Sequence, residues 1–182
     1  MTTSGTGLTL WLTGVPGAGK TTLAHAVRDV LRGRGHRVEI LDGDEVRQIL
    51  SPNLGYSRED RDAHIRRVGY LARLLSRNNV VVIVAAVSPY RSTRQAVRME
   101  HDGPFVEVFV SCPFDEVVRR DPKGLYAKAR SGSLSNLTGV GDPYEAPEAA
   151  EIVVETARWS IEECQAQILD YLDRQGLPGR PD

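Results

Sequence analysis

The segment Gly14-Val15-Pro16-Gly17-Ala18-Gly19-Lys20-Thr21 fits the pattern G-x-x-x-x-G-K-[ST]. Glycines at these spacings let backbone N–H groups turn inward and form a concave nest for phosphate oxygens. A helix leaving near Lys20 adds the positive end of its dipole. The Lys20 ammonium then reaches toward β- and γ-phosphates, and the Thr21 hydroxyl, followed by Thr22, is the natural ligand for Mg²⁺. The apolar run Leu8-Thr9-Leu10-Trp11-Leu12 before the motif and Thr22-Leu23-Ala24-His25-Ala26-Val27 after it supply the entering strand and leaving helix that the pattern requires. Together these residues point to ATP with Mg²⁺.

A second group follows in Leu41-Asp42-Gly43-Asp44-Glu45-Val46-Arg47. Ligands of doubly wound sheets sit beyond the carboxyl ends of the strands, so Asp42 and Asp44 are expected to face the phosphates. One carboxylate can organise the metal with Thr21, and the other can accept the proton of an attacking hydroxyl. An acidic cap for a helix beginning near Glu45 can account for Asp44, which can also serve the chemistry, but capping alone does not explain Asp42. Downstream, Ser57 with Asp60 opens a helix. Arg58, Arg61 and His64 recur along it as a face able to grip an anionic acceptor, with Tyr56 as a stacking surface. Acidic neighbours at Glu59, Asp60 and Asp62 allow the same face to be a solvated salt-bridged one. Ser88, in Ser88-Pro89-Tyr90-Arg91, falls at the sheet edge. It is expected to support the corner or touch substrate, because no base stands nearby in sequence to activate it.

The elements that must position these groups alternate between strand and helix, the signature of βαβ units around a parallel sheet. Apolar runs at 8–12, 37–41, 80–87, 105–110 and 151–154 predict five strands, and 80–87 is apolar on both faces as a covered central strand should be. Helical patterns lie near 21–32, 58–77, 91–101, 113–119 and 160–174, the last opened by Ser160 with Glu163 in a capping box. The expected fold is α/β: a P-loop NTPase-like parallel β-sheet flanked by helices on both faces, in one domain over 1–182. Residues 1–7 and 176–182 read as flexible tails. From 121 to 147 periodicity fades and Lys123, Lys128 and Arg130 cluster, which in a phosphate-transferring enzyme predicts a lid.

Hydrophobic residues make up 41% of the chain and charged ones 26%, as in ordinary globular domains. A formal net charge of -1 argues against an electrostatic nucleic-acid binder. No run approaches membrane-spanning length and no leader pattern precedes residue 8, so no membrane partner is expected. Cys112 and Cys164 are far apart in sequence and read as reduced, buried thiols of a cytoplasmic protein. These residues alone describe a kinase acting on the hydroxyl of a small anionic acceptor. Another nucleotide-like acceptor fits the same groups. A sensor that binds without turnover is disfavoured by the intact Lys20, Thr21, Asp42 and Asp44.

Several strings together resemble one family, the adenylylsulfate (APS) kinases. They include the phosphate loop, Leu41-Asp42-Gly43-Asp44, Leu54-Gly55-Tyr56-Ser57-Arg58-Glu59-Asp60-Arg61, Ser88-Pro89-Tyr90-Arg91, Asp121-Pro122-Lys123-Gly124-Leu125-Tyr126 and Asp142-Pro143-Tyr144-Glu145-Ala146-Pro147. The resemblance covers nearly the whole chain, and its last two strings are more specific than the phosphate loop. It implies transfer of the ATP γ-phosphoryl group to the ribose 3′-hydroxyl of APS, giving PAPS and ADP, in a homodimer. By position, Asp42 and Asp44 serve metal and acceptor, while Arg47, Arg61, Lys123 and Leu125 contact APS. Ser88 matches the serine described in the family as a phosphorylated intermediate. Departures are Val15-Pro16 for the usual Leu-Ser, Tyr56 for Phe, His64 for Asn, and Leu137 for a Phe that sandwiches the APS adenine. The last predicts weaker acceptor binding, by part of the roughly 1–3 kcal/mol of a base stack.

Overall fold

Leu8, Leu10 and Leu12 of strand β1 (Leu8–Thr13) turn to one apolar cluster while Trp11 turns to another, because successive side chains of a strand point to opposite faces. All six residues of β1 are buried. The computed structural model describes residues 7–178. β1 pairs with β3 (Val81–Ala85) on one side and β4 (Phe105–Ser111) on the other, β2 (Val38–Asp42) adds beyond β3, and β5 (Ile152–Glu155) beyond β4. Every pairing is parallel, with Leu8 opposite Val81 and Thr9 opposite Phe105. β3 is buried throughout, as a strand covered on both faces must be.

Helices α1 (Lys20–Gly33) and α7 (Ile161–Arg174) cover the leucine face of β1. α1 buries Leu23, Ala24, Val27 and Leu31, a single helical stripe. α3 (Arg58–Ser76) and α4 (Arg91–Met99) cover the Trp11 face. These two pack so closely that a Cβ on Gly69 would meet Val97 Cγ1 at 2.7 Å. The Ser160–Glu163 capping box at the start of α7 forms as its sequence predicts. The predicted strands and long helices are found within two residues of their expected limits.

Three features differ from expectation. A separate helix α2 (Gly43–Leu50) follows β2 directly, starting before Glu45 because Asp42, not Asp44, is its N-cap and accepts from the Asp44 N–H at 3.0 Å. After α5 (Phe114–Arg120), the 121–147 segment contains α6 (Leu125–Arg130). The Asp121 carboxylate receives the Tyr126 and Ala127 N–H groups at 3.1 and 2.9 Å, which offsets the short helix's lack of length. Third, parts of the expected tails are packed. Gly7 is buried, and a Cβ there would lie 2.0 Å from the Ser76 carbonyl oxygen. Leu177 packs on the core and donates its N–H to the Leu172 carbonyl at 2.8 Å. The remainder of the tail expectation, residues 1–6 and 179–182, lies outside the described residues. Among the described residues, no helix is long and apolar enough to cross a membrane.

Candidate active site

β1 is the middle strand, so the loop leaving its carboxyl end emerges at the centre of the sheet edge, beside the corners that follow β2 and β3. Gly14 runs so near β4 that a Cβ would meet the Val110 carbonyl oxygen at 2.4 Å. Gly19, at φ 98°, caps α1 in the left-handed region, which a side chain disfavours. The Lys20 ammonium folds back over this loop and donates to the Gly14 and Val15 carbonyls at 2.7 and 2.9 Å. Burial lowers its pKa to about 8, although Asp44 and Asp42 pull the other way.

From the first turn of α1, Thr21 Oγ1 donates to Asp42 Oδ2 at 2.7 Å. The other oxygen of Asp42 caps α2, and Asp44, two residues on, meets Lys123 Nζ of the 121–147 segment at 2.5 Å. A cleft of about 670 Å³ opens over this row. Its walls carry Lys20, Arg47, Arg61, Arg120 and Lys123 against three aspartates, a net positive lining suited to a polyanion. Tyr56 is 57% exposed at the rim, with the Arg47 and Arg61 guanidinium carbons 4.5 and 5.6 Å from its ring centre.

The comparisons with known proteins agree with this geometry. The adenylylsulphate kinase family model matches residues 6–155. The chain is 51% identical over 170 residues to the adenylyl-sulfate kinase of Synechococcus sp. (strain JA-3-3Ab), covering 93% of this chain and 96% of that one. The structure of the Mycobacterium tuberculosis APS kinase CysC, in complex with AMPPNP and APS, superposes with a TM-score of 0.89 at 36% identity, covering 93% and 99%. The hexameric APS kinase from Thiobacillus denitrificans superposes with a TM-score of 0.72 at 35% identity, covering 94% of this chain and 30% of that one. This chain belongs to the adenylylsulfate kinase family.

Against that family frame the structure brings Thr21, Thr22, Asp42, Asp44, Arg47, Tyr56, Lys123 and Leu125 to the cleft, together with the loop residues Pro16, Gly17, Gly19 and Lys20. Ala18 is fully buried beneath the loop, and Val15 packs against the core. Arg61 lines the cleft, but its guanidinium is already held. It donates to Tyr56 O at 2.9 Å, Thr138 Oγ1 at 2.5 Å, Asn136 O at 2.6 Å and Asp142 Oδ2 at 2.7 Å. Arg58 does not join it, lying instead 4.3 Å from the Tyr90 ring centre. The acceptor-gripping face expected from the Arg58, Arg61 and His64 spacing is therefore not formed as a free surface.

His64 is buried, with Nδ1 3.0 Å from Ser51 Oγ and Nε2 3.2 Å from Gly43 O. Desolvation first, then the Arg47 charge, lowers its pKa to about 4, so the ring is neutral near pH 7. Ser88 is also buried, at φ 40°. Its hydroxyl accepts from Trp11 Nε1 at 3.1 Å and donates to Thr13 Oγ1 at 3.0 Å, which passes its own proton to Val87 O at 2.8 Å. Ser88 lines the cleft, but its hydroxyl hydrogen is directed to Thr13 with Ala86 O 3.4 Å away, and no base stands among these partners, which is the geometry of a corner support rather than of an activated nucleophile. Leu137 departs furthest from expectation. It is 7% exposed, absent from the cleft wall, and packed with Val117 and Tyr126 under the lid.

Sequence reasoning missed several contributors. Arg120 lines the cleft while donating to Thr156 O at 2.6 Å, and Thr156 Oγ1 donates to Ala18 O at 2.8 Å, tying the β5–α7 corner to the phosphate loop. Tyr126 OH donates to Pro16 O at 2.8 Å, joining lid to loop, and burial pushes its pKa up to about 12. Arg120 stands next to the Asp121-Pro122-Lys123 string, and that adjacency was the available signal. Ile161 completes the wall from the start of α7. Both cysteines are free, Cys164 buried and Cys112 only half-buried.

Proposed function

We propose that this chain transfers the γ-phosphoryl group of ATP to the 3′-hydroxyl of APS, releasing PAPS and ADP. The observation that carries the reading is the unbroken row Thr21–Asp42–Asp44–Lys123, which crosses the cleft from the phosphate loop to the lid. In this reading the loop N–H groups of 14–20 bind the β-phosphate, and Lys20 exchanges its two carbonyl partners for phosphate oxygens. Thr21 and Asp42 would hold Mg²⁺. Their oxygens already stand 2.7 Å apart. The ion, when bound, neutralises charge developing on the transferred phosphoryl group.

Asp44 orients the acceptor hydroxyl and takes its proton, released from Lys123 as the anion enters. Lys123 and Arg47 then meet the acceptor's anionic groups, while Tyr56 and Leu125 supply apolar surface. Arg61 acts on the acceptor side chiefly by fixing the lid. Closure of the lid segment excludes water, so that γ-phosphoryl transfer to the hydroxyl outruns hydrolysis. The free thiols fit a reducing, cytoplasmic setting.

The test is turnover of ATP and Mg²⁺ with APS, resolving ADP and PAPS by chromatography, with Lys20→Ala and no-acceptor controls. Stoichiometric PAPS and ADP are expected. ADP formed without PAPS, or nucleotide binding without either product, overturns the assignment of the acceptor.

A further inference from the structure

Helix α2 carries Asp44 and Arg47 into the cleft, yet none of its residues is buried. Val46 packs half-buried on the cluster beneath α3, while Ile49 is 71% exposed. Eight residues with so little apolar burial do not hold a fixed orientation by helix propensity. Beside the Asp42 cap, the Lys123 bond to Asp44 and the Arg47 bond to Gly55 O, α2 is held by polar contact from α3. The His64 ring reaches both of its ends, Gly43 O at the first residue and Ser51 Oγ at the C-cap. A carbonyl can only accept, so Nε2 carries the proton and Nδ1 accepts from the Ser51 hydroxyl. One turn further along α3, Arg67 donates to Leu50 O at 2.5 Å and Ser51 Oγ at 3.3 Å, closing the C-terminal end.

We propose that His64 is a positioning residue whose ring bridges the two ends of α2 and so sets where Asp44 and Arg47 stand in the cleft. Although it lines the cleft, both ring nitrogens are committed to protein, leaving none for a bound acceptor. Ser51 is 1% exposed and outside the cleft wall, so it belongs to the bridge alone. The link from bridge to catalysis rests on the APS-kinase reading above, whereas the link from bridge to α2 does not.

Three variants of the full chain test this. Ser51→Ala removes one anchor at a residue that is itself outside the cleft wall. His64→Leu removes both anchors. His64→Gln returns a donor and an acceptor on one carboxamide. In the ligand-free protein, amide hydrogen exchange across 44–50 is expected to quicken about fivefold or more in Ser51→Ala and His64→Leu, the effect of leaving a buried partner unpaired. The APS KM is expected to rise by about threefold or more in the same two variants, with Mg²⁺–AMPPNP affinity unchanged and His64→Gln close to the unaltered protein. Unchanged α2 exchange in Ser51→Ala overturns the proposal, and it does so without any substrate being present. Faster exchange with unaltered APS KM and kcat overturns it too. If His64→Leu does not fold, Ser51→Ala decides. Failure of the unaltered protein to make PAPS overturns the acceptor reading and leaves the exchange result to judge the bridge.

Discussion

Replacing Arg61 by Met keeps the length of the stem and removes the guanidinium that ties the lid to α3. Four acceptors lose their partner: Tyr56 O, Asn136 O, Thr138 Oγ1 and Asp142 Oδ2. Hydrogen bonds to a charged group contribute about 1.5–3 kcal/mol each, but bonds sharing one cation do not add. Thr138 is 2% exposed and cannot rehydrate in place, whereas the Asp142 side chain is 29% exposed and largely can. The expected loss is therefore about 3 kcal/mol, less than the sum of its parts. It falls first on the local opening of 136–142, because that segment folds on itself through a few backbone bonds. The Gly139 N–H donates to Asp142 O at 2.7 Å and the Val140 N–H to Leu137 O at 3.0 Å. A 3 kcal/mol loss corresponds to an opening equilibrium raised on the order of 100-fold. Native-state hydrogen exchange at Gly139 and Val140, in ligand-free protein, reads it directly. A change smaller than about threefold refutes the clamp and returns Arg61 to the acceptor, where only the APS KM would move.

Three further outcomes are expected. Asp42→Asn keeps a good N-cap for α2, so the circular dichroism spectrum and melting point should be unchanged while kcat falls by about 100-fold or more through loss of the metal-side charge; near-normal turnover would remove Asp42 from that role. Lys20 sits at about 8 in the ligand-free protein, so raising the pH from 7 to 9 strips its charge; AMPPNP affinity measured by titration calorimetry should weaken above pH 8, toward about tenfold per pH unit, and Lys20→Ala should flatten that slope. Leu137→Phe inserts volume into the packed Val117–Tyr126 cluster, and denaturant unfolding should show a loss of about 1–3 kcal/mol with no tightening of APS binding.

The parts of the molecule legible in the sequence are those where one local rule dominates. The apolar run at 80–87 reads as a buried strand because it has no polar face to mislead, and the phosphate loop because glycine spacing and flanking periodicity agree. The capping role of Asp42 is not legible because the helix it caps is short and has too little apolar pattern to announce where it begins. α6 escaped for a related reason: its six residues are held by the Asp121 carboxylate, a contact from four residues upstream that periodicity does not register. Arg61 and His64, which do line the cleft, and Leu137, which does not, are a different case. Their residue types and spacing suit substrate contact, and only the path of the chain reveals that other protein groups reach them first.

Trp11 and Trp159 are the chain's two indoles, and the fold places them in opposite surroundings. The first is sealed, its N–H held by Ser88 at the sheet edge; the second is 37% exposed with the Arg158 guanidinium carbon 4.9 Å from its ring centre, two residues ahead of Ile161 on the cleft wall. Their emission therefore separates by colour and by access to aqueous quenchers. The blue, shielded component monitors the integrity of the sheet, and the red, quenchable one the corner between β5 and α7, giving the unmodified protein a built-in optical reporter of its folding at two depths.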